Sequence, residues 1–242
     1  MLLKSRISPV EMHSEQWHSE RSSRFTSSEN HNLMGEKFLT QGCISYIYRK
    51  VGEELTGVPA RDSVETAATV HGNVYEPEAL RKYKAKMGIE FLVTQKLIYG
   101  ESERFSSTPD AIEILSERTD CEGYNVRPIE VKCPPTYDAY IGLCMCNTPF
   151  DLKKEEKKYF YQMLDQIDTC GALAGTFVVY HPDFTVGNMK IIEFRIMDNI
   201  NGFYPLKKEL DFLRERKQMA VQKYNEVKLR MQNLNPSPIH TA

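Results

Sequence analysis

The chain has 242 residues, 41% hydrophobic and 26% charged, which suits one sizeable core or at most two small ones. No apolar run approaches the roughly eighteen residues of a membrane span, and residues 1–10 are too short and polar for a secretory signal, so an intracellular protein is expected. Six scattered cysteines exclude a disulfide framework and predict free thiols, while a net charge of −2 gives no overall basic excess of the kind nucleic-acid binders often carry.

Residues 1–15 read as poorly ordered, and 16–28 as a polar, serine-rich stretch. Leu33, Met34, Phe38, Leu39, Ile44 and Ile47 fall near helical spacing and predict a helix over 30–55. A second helix is expected over 67–87, running through Gly72 and Pro77. Strand-like runs follow at 89–99, 105–108, 111–115 and 126–132, and Pro134–Phe150 reads as a loop. A helix over 151–169 has Asp151 as its N-cap and Gly171 as its stop. Two strands, 175–180 and 189–197, precede a long helix that Pro205 opens and that runs to about 234. This order predicts an α/β fold: a central mixed sheet flanked by helices, in a single domain over 16–235, with 236–242 as a tail.

The last helix has apolar residues at 206, 210, 213, 220, 224, 227 and 231, interrupted at Lys217. A helix covering the sheet is the first reading, and a subunit contact the second. Its outer face is rich in Lys and Arg and could lie near phosphates.

The chemistry concentrates in Thr108-Pro109-Asp110 and Glu130-Val131-Lys132. Period-2 alternation puts Glu130 and Lys132 on one face of a strand and turns Val131 towards a core. An isolated Glu-x-Lys is commonly a solvated surface pair. Here the run before it is apolar and Pro134-Pro135 ends it, so the charges sit at the C-terminal end of a half-buried strand, where α/β sheets build their sites. Two carboxylates and an ammonium are the minimum set for metal-assisted phosphodiester hydrolysis. A hard cation such as Mg²⁺ needs only one or two carboxylates, and a neighbouring Lys can orient the attacking water. Cys144 and Cys146 lack a second ligand pair at zinc or iron–sulfur spacing.

Three further pieces accompany this motif: Trp17-His18-x-x-Arg21 with Thr26-Ser27-Ser28, then His71-Gly72-Asn73-Val74-Tyr75-Glu76, and Tyr159-x-x-Gln162. In this order and spacing, from Trp17 to about Tyr180, the set resembles the lambda exonuclease or YqaJ-type viral recombinase branch of the PD-(D/E)xK nucleases. The resemblance implies a restriction-endonuclease-like core and a processive, Mg²⁺-dependent 5′→3′ exonuclease on linear double-stranded DNA. Mn²⁺ should substitute, with two ions per site. Asp110 and Glu130 would be metal ligands together with the Val131 carbonyl, and Lys132 would position or activate the water. Glu76 would serve the second metal, and Gln162 would lie beside the centre. Arg21, Ser28 and Thr108 would form a pocket for the DNA 5′-phosphate, with Arg24 a rival to Arg21.

The family also implies a homo-oligomer, a ring of three, and a single-strand annealing protein as partner. The chain departs from the family pattern with Asp110-Ala111 in place of Asp-Gly, and with Ser23 where Gly is frequent. The other readings are a structure- or site-specific endonuclease on the same fold and a DNA-end-binding module without chemistry. Retention of Glu76, Asp110, Glu130 and Lys132 argues against the last.

Overall fold

The computed structural model describes residues 1–12, 14–60, 67–89, 92–118, 120, 122–200 and 202–234. The first half runs β1 (Leu2–Leu3), α1 (Glu15–Arg21), β2 (Phe25–Thr26), α2 (Gln41–Thr56) and α3 (Ala67–Met87). Strands β3 (Leu92–Thr94), β4 (Ile98–Tyr99), β5 (Phe105–Ser107), β6 (Ala111–Arg118) and β7 (Gly123–Lys132) follow. Helices α4 (Tyr137–Met145), α5 (Pro149–Glu155) and α6 (Lys157–Cys170) lead to β8 (Ala174–Tyr180), β9 (Met189–Arg195) and α7 (Pro205–Leu234).

The main sheet has the order β3-β6-β7-β8-β9, with β1 added against the start of β7. Neighbours are antiparallel except β7 and β8, which run parallel with Glu130 beside Phe177 and Lys132 beside Val179. A parallel step needs a crossover, and α4, α5 and α6 supply it. A small sheet, β2-β5-β4, stands apart.

Alternation divides β7 and β8 between two cores. Ile129, Val131, Val178 and Tyr180 pack with Ala79 and Tyr83 of α3. On the opposite face Phe177 and Val179 meet Phe160, Met163, Leu164 and Ile167 of α6. Each fully buried side chain of this kind contributes ~2 kcal/mol by leaving water. Because both faces are covered, β8 reads as an unbroken apolar run rather than an alternating one. Gly171 ends α6 in the left-handed conformation, φ 60°, as its sequence position predicted.

Several expectations are corrected. Residues 1–15 are not loose throughout: Leu2 is buried and pairs with Tyr124, a long-range contact that two leucines cannot announce locally. The helix expected over 30–55 divides into a 3-10 turn, Asn30–Leu33, and α2. A side chain at Gly35 would lie 2.6 Å from Thr40 Cγ2, so a tight turn sits there, and the Thr40 hydroxyl then caps α2 by accepting from the Cys43 N–H. The run over 89–99 breaks between β3 and β4 at Gln95, φ 56°, while residues 90 and 91 lie outside the described residues.

The expected loop over 134–150 contains α4, which buries Tyr140 and Leu143. The helix expected over 151–169 divides at Glu156 into α5 and α6. Thr148, not Asp151, is the N-cap of α5; Asp151 is the third-residue partner of its capping box. Helix α7 keeps its expected bounds but packs on α2 and α6 rather than on the sheet. Lys217, the interruption in its apolar stripe, is buried in ion pairs with Asp165 and Asp168 at 2.6 and 2.7 Å. The tail at 236–242 lies outside the described residues. Among those described, no helix is long and apolar enough to cross a membrane, and Cys43, Cys133, Cys144, Cys146 and Cys170 are free thiols.

Candidate active site

Strand β7 ends with Glu130 and Lys132 on its α6 face, and their side chains are hydrogen-bonded to each other. Glu130 is 2% exposed, a burial that an unpaired carboxylate could not sustain. Its oxygens accept from two amides on one face of α6: Gln162 Nε2 reaches Oε1, and Gln166 Nε2 reaches Oε2 at 2.5 Å. Gln166 escaped the sequence reading, although it sits four residues after Gln162 and so shares its helix face. The Lys132 ammonium also stands 5.5 Å over the Tyr159 ring.

Asp110 reaches this end of β7 from the other side. The last β6–β7 pair is Ala111 with Ile129. Beyond it the Val131 N–H has no strand carbonyl opposite and donates to Asp110 Oδ2 at 2.6 Å. Ala111, the departure from the Asp-Gly pattern, is ordinary extended backbone buried in the sheet. Glu76 comes from α3, and its field is felt by Asp110.

The electrostatics of this group are unbalanced. Burial above all, then the charges of Glu130 and Glu76, push the Asp110 carboxyl well above its usual range, against the pull of Lys132. Burial and the Glu130 charge likewise raise Glu76, with Lys132 opposing. Burial works against the Lys132 ammonium, yet Glu130 and Asp110 outweigh it and hold the group charged. Three carboxylates thus share one ammonium.

Glu76, Lys132 and Gln162 open on a cleft of about 570 Å³, lined also by Ser28, Lys158 and Tyr159, while Asp110, Glu130 and Val131 lie behind its wall and do not line it. Helix α4 adds Ala139 and Leu143 to its wall, so the segment expected as a loop over the site does border it. Ser28 reaches the cleft because both its neighbours in chain and space are pinned: Ser27 Oγ and Asn30 Nδ2 donate to the buried Asp165 at 2.6 and 2.8 Å. Arg21, Arg24 and Thr108 do not line the cleft. The Arg21 guanidinium stacks on Trp17 at 4.2 Å, and Arg24 is engaged by the carbonyls of Glu20 and Glu103. The Thr108 hydroxyl is buried without a hydrogen-bond partner among the described residues. Ser23 has φ 62°, in the left-handed region that favours glycine, which bears on the expected departure from Gly there. A second cavity, about 460 Å³ beside Asp168, Arg214 and Lys217, shares no lining residue with the cleft.

The donor set suits a hard divalent cation in kind: carboxylate oxygens, in excess of local positive charge. Among the described residues no group of three or more His, Cys, Asp or Glu side chains stands close enough to enclose an ion. Mg²⁺ does not require such a cage, since it retains several waters and takes one or two carboxylates.

A family model for the YqaJ-like viral recombinase domain matches residues 16–172. No curated protein sequence matches the chain. Among solved structures, the alkaline exonuclease LHK-Exo from Laribacter hongkongensis is similar at TM-score 0.65 and 20% identity, covering 91% of this chain and 100% of that one. The same protein in complex with dAMP gives TM-score 0.63 at the same identity and coverage. A phage-related exonuclease from Haemophilus somnus 129PT gives 0.60 at 16% identity, covering 86% and 96%. At these identities the likeness establishes a shared fold, a mixed α/β architecture; the family is established by the matched domain. The chain belongs to the YqaJ-like viral recombinase family.

Proposed function

We propose that the protein is a Mg²⁺-dependent deoxyribonuclease, with Mn²⁺ as a substitute, that degrades linear double-stranded DNA in the 5′→3′ direction. The product is a duplex with 3′ single-stranded overhangs, the substrate for recombination by strand annealing. The observation that carries this reading is the convergence of Asp110, Glu130 and Glu76 on the single ammonium of Lys132, beside a cleft that Glu76 and Lys132 line, in a member of this family.

Asp110, Glu130 and the Val131 carbonyl would hold the first ion, and Glu76 the second. Bound there, the cation would polarise the phosphate and lower the pKa of a water. Lys132 holds or moves a proton at that water and offsets charge developing on the phosphate. Gln162 and Gln166 fix the direction of Glu130 while leaving its charge intact, since an amide donates without neutralising. Ser28, on the cleft wall, supplies a hydroxyl donor to the terminal phosphate; Arg21 and Thr108, proposed with it for that pocket, lie outside the cleft lining. The working form in this reading is a homo-oligomeric ring acting beside a single-strand annealing protein.

One experiment tests the reading. A linear duplex with 5′-phosphate or 5′-hydroxyl ends is incubated with Mg²⁺ or with EDTA, beside a closed circle of the same sequence. Mg²⁺-dependent loss of the 5′-phosphorylated strand, with the circle intact, is the expected result. Cleavage of the circle would establish an endonuclease instead, and equal rates on both end types would remove the phosphate pocket.

A further inference from the structure

The segment His71–Glu76 offers more than its carboxylate. Along α3, Gly72 and Glu76 are one turn apart and line the cleft. His71 and Tyr75, each one position earlier, line a neighbouring cavity of about 550 Å³. Pro135, three residues beyond β7, borders both spaces, so they adjoin. The other walls are Tyr137, at the start of α4, and His181 and Asp183, just after β8.

This second space is an aromatic box. His71 lies 4.6 Å from Tyr75 and 5.6 Å from His181, centroid to centroid, and Tyr137 lies 5.2 Å from His181. Tyr140 and Phe184 back the His181 ring at 5.4 and 5.3 Å. The rings are fixed by hydrogen bonds. His71 Nδ1 donates to the Cys133 carbonyl at 2.9 Å, and the Tyr137 hydroxyl donates to Asp183 at 3.1 Å. The Asp183 N–H donates to His181 Nδ1 at 3.2 Å, which places the His181 proton on Nε2. That nitrogen is buried and has no partner among the described residues.

Among the described residues, His71 and His181 belong to no group of three or more His, Cys, Asp or Glu side chains that could hold a metal ion. Tyr137, by contrast, is 56% exposed at the rim, an open ring face beside a polar floor. A flat heteroaromatic ring with hydrogen-bonding edges fits such walls, and the space adjoins the place where a phosphate would be cut.

We propose that this box receives one nucleobase of the strand whose phosphate lies at Glu76 and Lys132, holding it unstacked from the duplex during cleavage. The inference rests on the nuclease reading above. A strand end drawn away from its complement into a cleft leaves its base unstacked, and aromatic rings grip such a base with little regard to sequence. The box thus supports cutting without imposing a sequence preference.

The test couples one side chain to one base. Linear 5′-phosphorylated duplexes carry either normal nucleotides or a single abasic nucleotide at the first or second position of the 5′ end. Wild-type protein should lose roughly tenfold in rate on one of the abasic duplexes. Tyr137→Ala should be roughly tenfold slower on the normal duplex and show no further loss on the abasic one. Tyr137→Phe keeps the ring and should restore both the rate and the sensitivity to base removal. An abasic penalty equal in wild type and Tyr137→Ala, with cutting intact, overturns the inference alone. Failure of wild-type protein to cut the normal duplex overturns the nuclease reading and this inference with it.

Discussion

Helix α6 touches two buried charge groups, and the contrast between them separates scaffold from chemistry. On one side Gln162 and Gln166 hold Glu130, in a group with three carboxylates and one ammonium. On the other, Asp165 and Asp168 face Lys217 and Arg214, two charges of each sign, with Ser27 and Asn30 completing the shell of Asp165. The second group also borders a cavity, but its charges are balanced, as a structural network must be to stand burial. The first carries surplus negative charge next to an open cleft, an arrangement that weakens the fold unless something binds there.

The largest expected effect lies on the unbalanced side. Asp110→Asn and Lys132→Ala should each lower turnover on a linear duplex by ~10²–10⁴. Lys132→Ala should keep its equilibrium affinity for DNA, and Asp110→Asn should lose affinity for Mg²⁺ or Mn²⁺ by calorimetry. Unchanged rates would remove these residues from the mechanism.

Stability should show the reverse ranking. Asp165→Ala strands Ser27, Asn30 and part of the Lys217 environment, and should cost ~3 kcal/mol in urea unfolding. Asp110→Asn relieves repulsion, and in metal-free protein should leave the urea midpoint unchanged or raised. Equal losses in the two variants would erase the distinction drawn here.

The smallest effect concerns a third ionic group, at the α2–α7 contact. Burial of Glu54 opposes its charged form, but hydrogen bonds from Tyr224, Arg104 and Lys228 outweigh it and lower the carboxyl from 4.5 to about 2. A depressed carboxylate contributes stability that is fully present above its unfolded value and lost as pH falls through the folded one. Wild type should therefore lose this contribution between about 4.5 and 2, and Glu54→Gln should show a flatter acid limb over that window. An unchanged limb would leave the Glu54 contacts without energetic weight.

Much of this was legible in the sequence where the signal is local. Strand alternation placed Glu130 and Lys132 together and Val131 in the opposite core, and Gly171 and Pro205 marked helix ends. What stayed hidden depends on distant partners. Nothing near Leu2 announces a pairing with β7, and Lys217 looks like a flaw in an apolar stripe until Asp165 and Asp168 are seen beside it. Gln166 drew no reading from the sequence because its meaning lies in Glu130, on another element. The break before α2 depends on the approach of Gly35 to Thr40, which spacing alone does not encode.

The bond from the Val131 amide to Asp110 has a practical consequence. A main-chain proton in the middle strand of the sheet is held there by a side chain rather than by a neighbouring strand. Its chemical shift and its exchange with deuterated water follow where the Asp110 carboxylate points. A single resonance can then report the reorientation of the acidic group as ions are titrated in, with no DNA in the tube.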